Sequence, residues 1–231
     1  MDFISTARQL IIAAIPILIA ITFHEVAHGF VANRLGDPTA KMMGRLTLNP
    51  IAHIDPIGTI IVPIMLFIFS NGAFIFGTAK PVPVNFHNLR NPRRDSAFVS
   101  AAGPATNVII AFASILLFIL IHKIFPQSIS STSVSQKIMI PLSIMLQYSI
   151  SFNIFIAAFN LLPVPPLDGG RIVTSLLPTK HSYQFSKLEP YGILIVLALW
   201  FTGIAHYIIV PIQSFIKLII SIFLIPFGGL M

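Results

Sequence analysis

The feature that most constrains this chain is its run of long apolar stretches with almost no charge to interrupt them. Of 231 residues, 55% are hydrophobic and only 9% charged, so there is too little polar side chain to cover a soluble globule. A helix that crosses a bilayer needs about 20 mainly apolar residues. Stretches near 8–32, 97–121, 138–161 and 190–211 reach that length and are expected to span. Residues 57–69 are apolar but short for a crossing, and 212–225 follow Pro211 so closely that they read equally as a further span, a kinked continuation or an interfacial helix. The expectation is an all-α polytopic membrane protein of about five to six transmembrane or re-entrant helices. Residues 1–231 are expected to form a single membrane domain, and the first helix is expected to be retained rather than cleaved as a signal peptide.

Between the second and third apolar stretches lies Gly72-Ala73-Phe74-Ile75-Phe76-Gly77-Thr78-Ala79-Lys80-Pro81-Val82-Pro83-Val84-Asn85. Its glycines, prolines, aromatic and β-branched residues favour extended backbone. Extended backbone cannot face lipid with its N–H and C=O groups unpaired, so a short re-entrant hairpin that lines a cavity or pairs with another strand is expected. The formal charge of +7 would suggest nucleic-acid binding in a soluble protein. Here Arg34, Lys41, Arg45, Lys80, Arg90, Arg93, Arg94, Arg171, Lys180 and Lys187 gather in connecting segments. They read as positive-inside topology determinants, which puts the ends of 33–95 and 168–189 in the cytoplasm and predicts no nucleic-acid partner.

With no cysteine in the chain, disulfides and thiolate metal sites are excluded, and a metal must be held by His, Asp or Glu. The first apolar stretch ends in His24-Glu25-Val26-Ala27-His28. On a helix, His24 and His28 lie about 40° apart around the axis and one turn apart along it, so both imidazoles reach one ion. Glu25 is rotated about 100° from His24, near enough to take a proton from a water at the ion without becoming a ligand. Ionisable groups in a spanning helix are costly and mark function. A third ligand is still required. Asp2, Asp37, Asp55, Asp95 and Glu189 all fall in termini or connections. Asp168 follows Asn160-Leu161-Leu162-Pro163-Val164-Pro165-Pro166-Leu167 and precedes Gly169-Gly170-Arg171, a broken helix end that sets a carboxylate on irregular backbone. The plain alternative is a helix-terminal turn with Asp168 paired to Arg171. With the histidine pair present, a His-His-Asp site is the expectation.

These residues resemble the site-2 proteases, a family of intramembrane zinc metalloproteases. The resemblance is carried by His24-Glu25-Val26-Ala27-His28, by Asn160-Leu161-Leu162-Pro163 through Leu167-Asp168-Gly169-Gly170, and by Gly103-Pro104-Ala105-Thr106-Asn107 on the intervening helix. It implies one zinc held by His24, His28 and Asp168, with Glu25 as general base. It also implies a membrane-protein substrate with a transmembrane segment, and a role for 72–85 as a re-entrant loop that meets that substrate. The chain looks like a short form without PDZ or CBS modules, placed in a bacterial cell membrane with its active site toward the cytoplasm. A metal transporter or a proteolytically silent scaffold is the competing reading, and Glu25 beside a histidine pair argues against a mere transit site.

Among the remaining polar residues, Asn107 and Asn160 read either as interhelical hydrogen bonders or as groups that hold substrate backbone or an oxyanion. Asp55-Pro56 reads as an N-cap followed by a first-turn proline, with His53 beside it. His206 reads as a histidine packed between helices.

Overall fold

The computed structural model describes residues 3–69, 77, 79–124 and 133–225. Helix α1 (Phe3–Leu35) carries the His-Glu pattern in its last third and is followed by the single turn α2 (Thr39–Met42). A 3-10 turn (Pro50–His53) and a π-helical stretch (Pro56–Ile61) lead into α3 (Val62–Phe69). The long helix α4 (Pro92–Ile124) packs along α1, α5 (Ser133–Asn160) and the short α6 (Asp168–Leu176). Helix α7 (Thr179–Ser186), α8 (Gly192–Phe201) and α9 (Ile204–Leu224) complete the described chain. No strand occurs among the described residues. The segment 79–85 is non-helical, as its prolines require, but the hairpin expected over 72–85 falls in part on 72–76 and 78, outside the described residues.

Four helices are long and apolar enough to cross a bilayer: Ile12–Leu35, Pro92–Ile124, Lys137–Asn160 and Ile204–Leu224. The first three match the expected spans. The fourth corrects the expectation, because 190–211 is not one helix. Gly203 adopts φ +77°, a left-handed conformation that ends α8 after ten residues and starts α9. A ten-residue helix is about 15 Å long, half a hydrocarbon core. Residues 212–224 therefore belong to the span itself, and Pro211 lies inside α9 rather than breaking it. The 57–69 stretch is divided between the π-helix Pro56–Ile61 and the α-helix Val62–Phe69 and stays short of a crossing. Asp55 caps it as read from the sequence, its side chain accepting the Ile57 N–H at 3.3 Å.

In hydrocarbon no hydrophobic force draws helices together, and close packing of small residues does that work. Ala111 of α4, Ala157 and Ala158 of α5 and Ala205 of α9 are buried at the shared contact, with Ile115 and Ile154 beside them. Ala205, Ile209, Ile216, Ile220 and Leu224 recur at helical spacing, so a single face of α9 is buried. At the other end of the bundle, the Arg90 N–H donates to the Leu35 carbonyl (3.0 Å), and Arg93 donates to the Ser175 carbonyl (2.9 Å). The end of α1, the start of α4 and the end of α6 are thereby fastened on one side.

Candidate metal centre

Three donors converge where α1, α4 and α6 meet. Asp168 is the first residue of α6, its carboxylate oxygens lying 3.2 Å from His24 Nε2 and 3.4 Å from His28 Nε2. The two Nε2 atoms are 3.1 Å apart. All three side chains are buried. Their partners set the tautomer of each neutral ring. His28 Nδ1 donates to the Val99 carbonyl (2.7 Å), so its Nε2 holds a lone pair. His24 Nδ1 meets Asn107 Oδ1 at 2.6 Å. The Asn107 orientation is set by its Nδ2 group, which donates to the Ala20 carbonyl (3.2 Å) and to Asn153 Oδ1 (2.8 Å). His24 Nε2 is therefore also a bare lone pair. With both rings neutral, two imidazole lone pairs and a carboxylate face one another, and Asp168 Oδ2 has no hydrogen-bond partner. That arrangement is repulsive alone and attractive around a cation. Ligands 2.0–2.1 Å from a zinc ion stand roughly 3.3 Å from one another in a tetrahedron, which is the separation seen here.

Glycines make this approach possible. A Cβ at Gly103 would lie 2.5 Å from His28 Nε2 and 2.6 Å from His24 Cε1, so only glycine lets α4 back directly onto both rings. Asn107, one turn further along α4, then reaches His24. On the α6 side, side chains at Gly169 and Gly170 would overlap the Leu161 carbonyl and the backbone at Val164-Pro165. The proline-rich bend after α5 and the two glycines thus tuck the N-terminus of α6 inward and carry Asp168 to the histidines. Arg171 is turned elsewhere, 3.5 Å from Glu189 and with its guanidinium 5.3 Å from the centre of the Phe86 ring, so the Asp168–Arg171 turn is not formed.

Behind His24 a polar seam continues across the bundle. The Asn153 amide donates to the Ser149 carbonyl (2.8 Å), and the Ser149 and Ser114 hydroxyls are 2.8 Å apart. Sequence reasoning did not single out Asn153, Ser149 or Ser114, although an amide in an apolar span is itself a signal of interhelical bonding. Asn160 behaves differently, donating to the Ile156 carbonyl of its own helix (3.0 Å) and lining a cavity.

That cavity, about 370 Å³, opens beside His24 and Glu25 and is walled mainly by Ile21, Phe155, Phe159, Val196 and Trp200. Glu25 is half-buried, and its Oε2 accepts the Val82 N–H at 2.8 Å. Asp37, just past α1, is fully buried and was passed over in the sequence as a connecting residue. Burial pushes its carboxyl upward, but bonds from the Thr39 and Asn88 side chains and from the Asn85 and Thr39 amides outweigh this and hold it below the usual carboxylate range. His53 is buried, with Nε2 on the Thr47 carbonyl (2.8 Å). His206 is exposed and lies edge-to-face with Tyr207, not packed between helices as expected.

The sequence pattern of Peptidase family M50 matches residues 12–203, which takes in both histidines, Glu25, Asn107 and Asp168. The chain belongs to peptidase family M50. It is 37% identical over 214 residues to YwhC of Bacillus subtilis, whose name gives it as a candidate zinc metalloprotease, covering 90% of this chain and 91% of that one. Similarity to Rip2 of Mycobacterium tuberculosis, named in the same way, is 28% over 203 residues, or 83% and 70% of the two chains. The zinc metalloprotease MJ0392 of Methanocaldococcus jannaschii is 21% identical over 168 residues, 72% of this chain and 34% of its own. No solved structure matches. With its four bilayer-length helices, this M50 peptidase is an integral membrane protein, and the donor set of its buried cluster suits zinc.

Proposed function

We propose that this M50 peptidase is a zinc-dependent intramembrane endopeptidase that cuts within or near transmembrane segments of other membrane proteins. The observation that carries the reading is the convergence of three metal-ligating side chains beside a half-buried glutamate, at the edge of an apolar cavity inside a membrane bundle. His24, His28 and Asp168 hold the ion, and Asn107 keeps His24 in the tautomer that presents Nε2. Zinc held there would supply Lewis acidity toward a peptide carbonyl and toward a water. Glu25 takes the proton of that water as its oxygen attacks the carbonyl carbon, and returns it to the departing amine. The names of the relatives support zinc for this chain as well.

The apolar cavity wall suits a hydrophobic segment, and Asn160 stands on its rim for the substrate backbone. A peptide bond in a stable helix is shielded by its own hydrogen bonds, and exposing each group in hydrocarbon costs several kcal/mol. Substrates should therefore contain helix-breaking residues near the scissile bond. The basic connections, shared by the end of α1, the start of α4 and α6, support a site toward the cytoplasmic face, and the Bacillus relative supports a bacterial cell membrane. The residues 1–231 act as one peptidase unit in contact with the bilayer.

The test is a pair of single-span reporters of equal hydrophobicity, one with a central Asn-Gly and one all leucine, each tagged on its cytoplasmic end. The Asn-Gly reporter should be cut at least about tenfold faster and release the cytoplasmic tag into the soluble fraction. Equal cleavage of the two, or release of the opposite end, would overturn the substrate reading or the orientation respectively.

A further inference from the structure

The segment Lys80-Pro81-Val82-Pro83-Val84-Asn85 runs past Glu25 with its backbone donors assigned to particular acceptors. The Lys80 N–H donates to the His53 carbonyl (2.9 Å), the Val82 N–H to Glu25 Oε2 (2.8 Å) and the Asn85 N–H to Asp37 Oδ2 (2.7 Å). Pro81 and Pro83 have no N–H to give. Of residues 81–83, Val82 alone carries a donor, and that donor is on the carboxylate. The prolines also hold Lys80 and Val82, the residues before them, in extended backbone.

Both ends of the segment are fastened by charge. The Arg45 guanidinium bonds the Ala52 carbonyl and, at 3.0 and 3.4 Å, the carbonyls of Lys80 and Pro81. Asp37 holds Asn85 and also takes the Asn88 amide at 3.0 Å. Helix α1 itself provides a seat. Gly29 lies one turn beyond Glu25 on the same face, and a Cβ there would lie 2.6 Å from Val82 Cγ1 and 2.7 Å from Leu46 Cδ2. The buried Val82 side chain occupies that notch.

We propose that Pro81-Val82-Pro83 is a positioning element for Glu25: pinned by Arg45 and Asp37 and seated on Gly29, it gives its single N–H to Oε2 and leaves Oε1 as the oxygen that takes the proton. The proposal rests on the reading of Glu25 as the base. It also means that a strand received over 81–83 would find carbonyl acceptors there but no free N–H.

The first test needs no proteolysis, so its failure is separable from failure of the protease reading. In the full-length protein labelled with 15N-valine in detergent micelles, the Val82 amide should exchange slowly, and at least about tenfold faster in Glu25→Ala. Unchanged exchange would remove the contact and the proposal. The second test compares Val82→Pro, which deletes the N–H and keeps extended backbone, with Val82→Ala, which keeps the N–H and deletes the side chain. Val82→Pro should lower kcat about tenfold or more with KM and zinc content unchanged, and Val82→Ala, which keeps the N–H but loses part of the seat on Gly29, should lose distinctly less. An equal loss in both variants would assign the effect to side-chain packing and overturn the proposal. If Val82→Pro does not hold zinc, amide exchange decides alone.

Discussion

On the α4 side of the two histidines the polar groups are turned toward neighbouring helices, whereas on the α5–α8 side the wall is apolar and its amide turns back on its own helix. Asn107 spans from α4 to α1 and α5 at once, through His24, Ala20 and Asn153. Asn160, equally an amide on a spanning helix, bonds Ile156 four residues back and faces a cavity lined by Phe155, Phe159 and Trp200. The difference separates two tasks. A polar seam in hydrocarbon fastens helices, because its groups find no water to bond with instead. An apolar recess leaves room for a hydrophobic guest. The His24-His28-Asp168 cluster is thus fixed from one side and bordered by an apolar recess on the other.

The sharpest way to break this comparison is Asn107→Ala. It removes the acceptor that sets the His24 tautomer and leaves Asn153 Oδ1 without its donor, so zinc affinity should fall by about 10- to 100-fold. Wild-type affinity in a zinc titration of the detergent-solubilised variant would mean that the seam does not support the site. A smaller effect is expected from Asn160→Ala, which loses a bond within its own helix. Zinc affinity should stay within about twofold, and reporter cleavage should change by no more than about tenfold, through substrate handling. A zinc loss as large as that of Asn107→Ala would erase the distinction between the two sides.

The parts legible in the sequence are those that rest on local spacing. His24, Glu25 and His28 sit on one helical turn, and a proline-rich bend followed by two glycines marks where Asp168 is carried inward. Hydropathy located three spans. It missed the division at Gly203, because Phe201-Thr202-Gly203-Ile204 carries no charge and an isolated glycine in an apolar run is compatible with helix; the sign of its φ leaves no trace in composition. Other parts depend on which faces meet. Asn153 becomes informative only once α4 lies against α5, and Asp37 only once 85–88 folds back on it. The Val82 N–H has no side-chain identity to read, although the flanking Pro81 and Pro83 marked the segment as extended. Asp168 was separated from Arg171 by a distant partner, Glu189, that adjacency in sequence does not announce.

In the proposed mechanism three side chains hold the ion while Glu25, outside that set, moves the proton, and the direct measurement is zinc content beside hydrolysis in Glu25→Gln and His24→Ala. Glu25→Gln should retain about one zinc per chain while cleavage of the membrane-spanning reporter falls by about several hundred-fold or more, and His24→Ala should lose both. Zinc loss in Glu25→Gln as complete as in His24→Ala, or cleavage by Glu25→Gln at the wild-type rate, would contradict the account.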